Sequence, residues 1–401
     1  MNPISGIVVP GGAWPMTHTA ADGQGVRIGF SSAADPGAAA TELRALLDQP
    51  RMGLVVVFAS NRYDLDVLGG CLCREFGSVP VIGCTTAGEI GPLGYTENGL
   101  AGFSLGQADF TVETCLIEAV SKLESRGAQT LAFDLRRRLV NRVMNFESER
   151  SFALMLVDGL CMREENLARA FHDGLGGIPL VGGSAGDGLS FGRTAVLHGG
   201  RFQSDAALLL VVSTPSPVAT FKTQHFICGP RRLVVTSADP ERRIVSEING
   251  LPAAEEYSRA AGVAPESLDP LVCSAHPLVV RVGGTDFVRS VQRINPDGSM
   301  MFYCAIDEGI VFNVAEGVDM VANLEAVFED VVGRIGPPSL VIGCDCILRR
   351  LEMSAKGIVE DISAVMRAHN VVGFSTYGEQ FRGMHVNQTF TGIAIGARAV
   401  P

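Results

Sequence analysis

The chain has 401 residues, 47% of them hydrophobic and 19% charged, with a net charge of −11. That length supports two or three domains with a sizeable core, and that balance excludes a disordered chain. The acidic charge argues against nucleic-acid and anionic-membrane partners, which reward clustered Lys and Arg, and no apolar run reaches the ~18–20 residues of a spanning helix.

Residues 1–25 are rich in Gly, Pro and Ala and lack the basic start and long apolar core of a signal peptide, so they read as a loose arm. The first patterned block then runs LVVVFAS (54–60), a helical stretch, VPVIGCTTAGEIG (79–91) and GLAGFSLG (99–106). The Arg-rich LRRRLVNR (135–142) reads as the solvated face of a helix. A second block has the same form: FALMLVDG (152–159), the helical ENLARAFHDGL (165–175), IPLVGGSAGDG (178–188) and AALLLVV (206–212).

Residues 220–315 read differently, as a β-rich block with turns at Asn249-Gly250 and at NPDG (295–298), and a short helix opened by Pro252. An amphipathic helix follows over 318–336. The third block is SLVIGCDC (339–346), one helix GIVEDISAVMRAH (357–369), NVVGFSTYGEQ (370–380) and FTGIAIGA (390–397). Each block is thus a buried strand, a helix, a second strand ending in glycine, a tight Gly-plus-acid turn and a returning strand. The predicted fold is α/β: two lobes of mixed sheets flanked by helices, 26–219 and 220–401, with three internal repeats.

Gly182-Gly183-Ser184-Ala185-Gly186 satisfies the G-x-S-x-G pattern of a hydrolase nucleophile elbow. An elbow needs a helix directly after the serine; here GDGLSFGR follows, and the sister turns carry Thr85-Thr86 and Ser375-Thr376 instead. The glycines are therefore expected to permit positive φ and close strand approach. Glu89, Asp187 and Glu379 are expected to accept hydrogen bonds from turn N–H groups, with a ligand contact as the alternative.

Ten cysteines, mostly inside apolar runs, indicate reduced, cytoplasmic usage. No C-x-x-C, Walker A or helix-opening G-x-G-x-x-G motif occurs. Cys71/Cys73 and Cys344/Cys346 form C-x-C pairs whose thiols would share a face if they lie on strands, a weak metal signal.

PVIGCTTAGEI, IPLVGGSAGDG, LVVTSAD…EINGLPAAEEY and VVGFSTYGEQFRGMHVNQTFTGIAIG resemble the FIST family of sensory domains, in both its N- and C-terminal parts, over nearly the whole chain after residue 26. FKTQHF (221–226) and CDCILRRLE (344–352) resemble its nitric-oxide-sensing haem-protein branch. That resemblance implies a cytoplasmic, non-enzymatic sensor that holds haem b non-covalently, binds nitric oxide and regulates a histidine kinase or a cyclic-di-GMP enzyme in biofilm control. The composition allows a homodimer. Other FIST proteins are proposed to bind amino acids or similar metabolites, so a haem-free module is the alternative.

Haem needs a proximal donor, usually a His nitrogen, in an apolar pocket. His18 in the arm and His369 at a helix end are discounted, and His276 precedes Pro277 in a loop. His225, beside Phe221, Phe226, Ile227 and Cys228, is the leading candidate, a packed core residue being its other reading. His198, before a Gly-Gly turn, and His172, on a helix, come next. Arg349 and Arg350 are candidates to pair haem propionates, or are surface charges. A haem-free site would use the Gly-acid turns with Ser184, Thr376, His385 and Asn387. An enzyme lacks its parts: no Ser-His-Asp set, metal triad or phosphate loop stands out.

Overall fold

The strand Met52–Ser60 is apolar and buried almost throughout, because both of its faces are covered. It pairs in parallel with Val81–Thr86 and antiparallel with Leu100–Gly106. The same arrangement recurs twice. Ser151–Val157 pairs in parallel with Leu180–Ser184 and antiparallel with Ala206–Ser213. Pro338–Cys346 pairs in parallel with Val371–Thr376 and antiparallel with Phe390–Gly396. The computed structural model describes residues 25–282 and 285–398; His18 and the rest of the arm before Gly25 lie outside the described residues.

Each of these sheets is completed by a two-stranded ribbon from elsewhere in the chain. Val196–His198 and Arg201–Gln203 extend the first sheet from Val81–Thr86. Glu379–Phe381 and Met384–Val386 extend the second from Leu180–Ser184. Glu89–Gly91 and Gly94–Thr96 extend the third from Val371–Thr376. The exchange is therefore cyclic, and strands from both sides of residue 220 share a sheet. The turns close the cycle: the Ala87 N–H donates to the Ser375 carbonyl (2.9 Å), Gly186 to Thr85 (3.0 Å) and Tyr377 to Ser184 (3.3 Å).

Inner faces of all three sheets meet in one core that includes Phe58, Phe103, Leu154, Val181, Ile342 and Phe374. Helices cover the outer faces: Pro36–Leu47 and Leu65–Phe76 on the first, Ser125–Arg142 and Glu164–Leu175 on the second, Met320–Ile335 and Val359–Ala368 on the third. A fourth, antiparallel sheet is built from residues 226–317. Its turn at Asn249-Gly250 has positive φ at both positions, as a tight hairpin requires. No helix of the described residues is long and apolar enough to cross a membrane.

Several expectations are corrected. Cys71 and Cys73 lie on the helix Leu65–Phe76, where positions two apart diverge; Cys71 is buried and Cys73 exposed. The helical stretch expected at 357–369 is the helix Val359–Ala368, and a further helix that was not expected precedes it. Ile347–Lys356 ends at Gly357 in the left-handed region (φ 69°), and Val359–Ala368 begins after it. Arg349, read as a propionate partner or a surface charge, is fully buried.

Candidate ligand-binding site

The helix Glu164–Leu175 begins with two acids, which its positive end favours. Both reach Arg243 from the fourth sheet. Its Nη2 donates to Glu164 (2.8 Å) and Glu165 (2.9 Å), and its Nη1 donates to the Tyr303 carbonyl (2.8 Å). Burial raises the Glu164 carboxyl to about 7 even though Arg243 opposes the rise. Burial would raise Glu165 too, but His385 and Arg243 hold it below its ordinary value. Burial works against the Arg243 charge, yet Glu164 and Glu165 keep that guanidinium above its ordinary value.

Above this cluster the loop 187–193 is held by Asp187. Its carboxylate accepts from the N–H groups of Phe191 (2.9 Å), Gly192 (2.7 Å) and Arg193 (2.8 Å). It also accepts from the Tyr377 hydroxyl. Phe191 stacks on Tyr377 at 4.6 Å. Between loop and cluster lies a cleft of about 160 Å³, lined by residues from both chain halves, among them Glu164, Phe191, Arg243, Gln292, Tyr303 and Tyr377. Met162, Phe191 and Arg243, all lining the cleft, have positive φ (54°, 49° and 57°). Non-glycine residues held there carry strain, which concentrates where ligands are gripped.

Behind the cleft the structure brings together four residues expected for a haem-free site. Gln380 Nε2 donates to Ser184 Oγ (3.0 Å), to the Gly378 carbonyl (3.2 Å) and to His385 Nδ1 (3.2 Å). Thr376 Oγ1 lies within donating distance of the Ser184 and Gly378 carbonyls (2.8 and 2.7 Å), which share its one proton. Burial lowers His385 to about 4, so the ring is neutral at pH 7; it also makes a backbone hydrogen bond with Tyr303. Asn387 is buried with neither side-chain polar atom partnered, and Gln380 Oε1 and Glu379 Oε1 are likewise alone. A Cβ on Gly378 would sit 2.2 Å from His385, so glycine is what admits that ring.

Glu89 and Glu379 tie their turns to the segments that lead into the returning strands. Glu89 accepts from the Gly99 N–H (2.9 Å) and the Thr86 hydroxyl (2.5 Å), and Glu379 from the Thr389 hydroxyl (2.6 Å) and N–H (3.2 Å). Burial raises Glu89 to about 7 and pushes Glu379 well above the usual carboxylate range.

His225 is fully buried and lines neither the inter-half cleft nor the shallow one beside Cys228 and Arg232. Arg349 Nη1 lies 3.1 Å from its Nδ1, and Nε2 lies 2.9 Å from Glu352. Arginine only donates, so Nδ1 accepts and Nε2–H donates to the carboxylate. Burial holds the ring below its ordinary value, and it stays neutral. Both nitrogens are thus engaged, and the lone pair an iron would take is held by Arg349. Arg349 Nε in turn donates to Asp345 (2.6 Å). These residues do not fit a haem ligand and its propionate partner.

The other candidates are scattered. His198 is half-buried in the ribbon beside Val81–Thr86, and His172 lies on the helix Glu164–Leu175 against Gly383, its Nδ1 unpartnered. Arg350 donates to the Thr96 carbonyl and to Glu97, both at 3.1 Å. Cys344 and Cys346 share one strand and are buried, and burial pushes both thiols well above their ordinary value. Among the described residues no three His, Cys, Asp or Glu side chains come together as a metal site.

Sequence reasoning missed Glu164, Arg243, Gln292, Tyr303 and Tyr377. The paired acids opening a helix signalled only its N-terminus, and nothing local ties them to an arginine 79 residues away.

A family model described as the FIST N domain matches residues 53–251, and one described as the FIST C domain matches residues 253–382. No curated protein matches the sequence. Among solved structures, a cyanuric acid hydrolase from A. caulinodans is similar over 94% of this chain and 99% of its own, at 9% identity and a TM-score of 0.37. A second, titled "Cyanuric acid hydrolase: evolutionary innovation by structural concatenation", is similar over 92% and 99%, at 9% identity and a TM-score of 0.38. Likeness at this level carries no argument about activity.

Proposed function

We propose that this chain, which belongs to the FIST family, is a sensory protein that binds a small polar metabolite in the cleft between its halves. The observation that carries this reading is the construction of the cleft. Leu160, Glu164, Phe191 and Arg243 come from the segment matched as FIST N, and Gln292, Tyr303 and Tyr377 from the segment matched as FIST C. A ligand touching both sides favours one arrangement of the halves over another, which is the requirement for signalling by population shift. A coupling of ~1–3 kcal/mol is the usual scale of such an effect.

In this reading the protein works in the cytoplasm and does no chemistry of its own. Ser184 is bonded to Gln380 rather than to a base. Output passes to a separate protein; a histidine kinase or a cyclic-di-GMP enzyme is the partner that the family resemblance implies. The nitric-oxide-sensing haem reading rests on that resemblance alone, and the occupied nitrogens of His225 count against it.

The test is thermal unfolding with a panel of amino acids, small organic acids and haem, on wild type and Leu160→Trp. Leu160 lines the cleft and is 39% exposed, so the indole blocks the entrance without disturbing the core. At least one small metabolite is expected to raise the wild-type Tm saturably and to lose that effect in the variant. Haem is expected to show no saturable one-to-one binding. A Tm rise untouched by Leu160→Trp, or a saturable haem Soret band lost in His225→Ala, overturns the reading.

A further inference from the structure

The cleft's lining is more specific than a generic polar site. We infer that its ligand is a planar, single-ring carboxylate, the ring lying among the aromatic walls and the carboxylate at the rim. This inference rests on the cleft being the ligand site.

Size comes first. The cleft holds about 160 Å³. A protein cavity of about 150 Å³ is of the size that accepts benzene. The cleft therefore has room for one ring.

The walls favour a flat apolar body. Phe191 and Tyr377 form a stacked pair, and Phe302, Met162 and Met301 complete the apolar lining. Aromatic faces and methionine sulfur both take up an aromatic ring well.

The polar groups left free are all donors or carry one. The Tyr377 hydroxyl is taken by Asp187, and Arg243 is taken by Glu164, Glu165 and the Tyr303 carbonyl. Arg242, Gln292 and Tyr303 also line the cleft, and none of their side-chain polar groups has a hydrogen bond among the described residues. Arg242 is exposed at the rim; the Asp239 carboxylate accepts from its backbone N–H (3.1 Å), and among the described residues its guanidinium makes no ion pair. Burial keeps the Tyr303 hydroxyl protonated, hence a donor. A guanidinium fork matches the two oxygens of a carboxylate. The one carboxylate lining the cleft, Glu164, is covered by Arg243 and does not oppose an anion at Arg242.

The test is titration calorimetry of the full chain with benzoate, phenylacetate, benzamide and butyrate. Benzoate or phenylacetate is expected to bind saturably. Benzamide, which keeps the ring and loses the charge, and butyrate, which keeps the charge and loses the ring, are each expected to bind at least tenfold more weakly. Arg242→Ala is expected to weaken carboxylate binding about tenfold and to leave benzamide unchanged, and Leu160→Trp to abolish both. Benzamide or butyrate binding as tightly as benzoate overturns the inference, as does an Arg242→Ala variant with unaltered affinity. If another compound still binds and is blocked by Leu160→Trp, the cleft remains the site and only the ligand class is wrong. If nothing is blocked by that variant, both readings fall.

Discussion

Arg349→Met lowers folding stability by about 3–5 kcal/mol, the usual cost of breaking one side of a buried ion pair. Asp345, in the strand Pro338–Cys346, and Arg349, in the first turn of the helix Ile347–Lys356, are both fully buried. The guanidinium donates to Asp345 at 2.6 Å and approaches His225 Nδ1 at 3.1 Å, while the Tyr95 hydroxyl donates to Asp345 at 2.5 Å. Burial already raises the Asp345 carboxyl despite Arg349 beside it. Without the cation that carboxyl rises further above its unfolded value. The folded state then holds a proton that the unfolded state releases, so stability falls as pH rises. The deficit is therefore expected to be larger at pH 8 than at pH 5, and Arg349→Met with Asp345→Asn is expected to recover part of it. Urea unfolding at the two pH values measures this. A deficit under about 1 kcal/mol, or one independent of pH, contradicts the assignment of Arg349 as the counter-charge.

Gly373→Ala is expected to destabilise the protein by about 3 kcal/mol or more, at or beyond the upper end of overpacking costs. Gly343 and Gly373 face one another across the parallel pair, and a Cβ on Gly373 would lie 1.8 Å from the Gly343 carbonyl oxygen. That contact is backbone, so relief requires the strands to separate. Gly333 supplies the opposite case. It lies in the helix Met320–Ile335 with nothing within 4 Å of an added Cβ. Gly333→Ala is expected to stabilise by about 0.5–1 kcal/mol. Chemical unfolding of the two variants should give shifts of opposite sign, and a neutral Gly373→Ala would contradict the close strand approach.

Much of the architecture was legible because it is written in local pattern. The runs LVVVFAS, FALMLVDG and SLVIGCDC are buried strands, and Asp187 accepts N–H bonds from the loop that follows it, whereas Glu89 and Glu379 accept from Gly99 and Thr389, ten residues on, just before the returning strands. What stayed hidden is non-local. That each ribbon leaves its own sheet for another is fixed by packing between segments 100 to 300 residues apart, which no window of sequence contains. The helix Ile347–Lys356 before Gly357 was also missed, and only Val359–Ala368 was read as helical.

The candidate site divides in the same way. Ser184, Thr376 and His385 were named from the chain, and they do converge: Gln380 bonds Ser184 and His385, and Thr376 bonds the Ser184 carbonyl. Arg243 and Tyr303, which line the neighbouring cleft, arrive from the region of the fourth sheet and were not named. His225 was conspicuous for its aromatic neighbours, but its partners Arg349 and Glu352 lie more than 120 residues away and make it a structural bridge.

The central claim is that a ligand sits between the chain halves, and hydrogen–deuterium exchange locates it most directly. With a compound that raises Tm, protection is expected at the loops 158–163 and 187–193 and at residues 301–303 together, on both sides of the cleft. Protection confined to one half, or centred on residues 221–228 around His225, would contradict it.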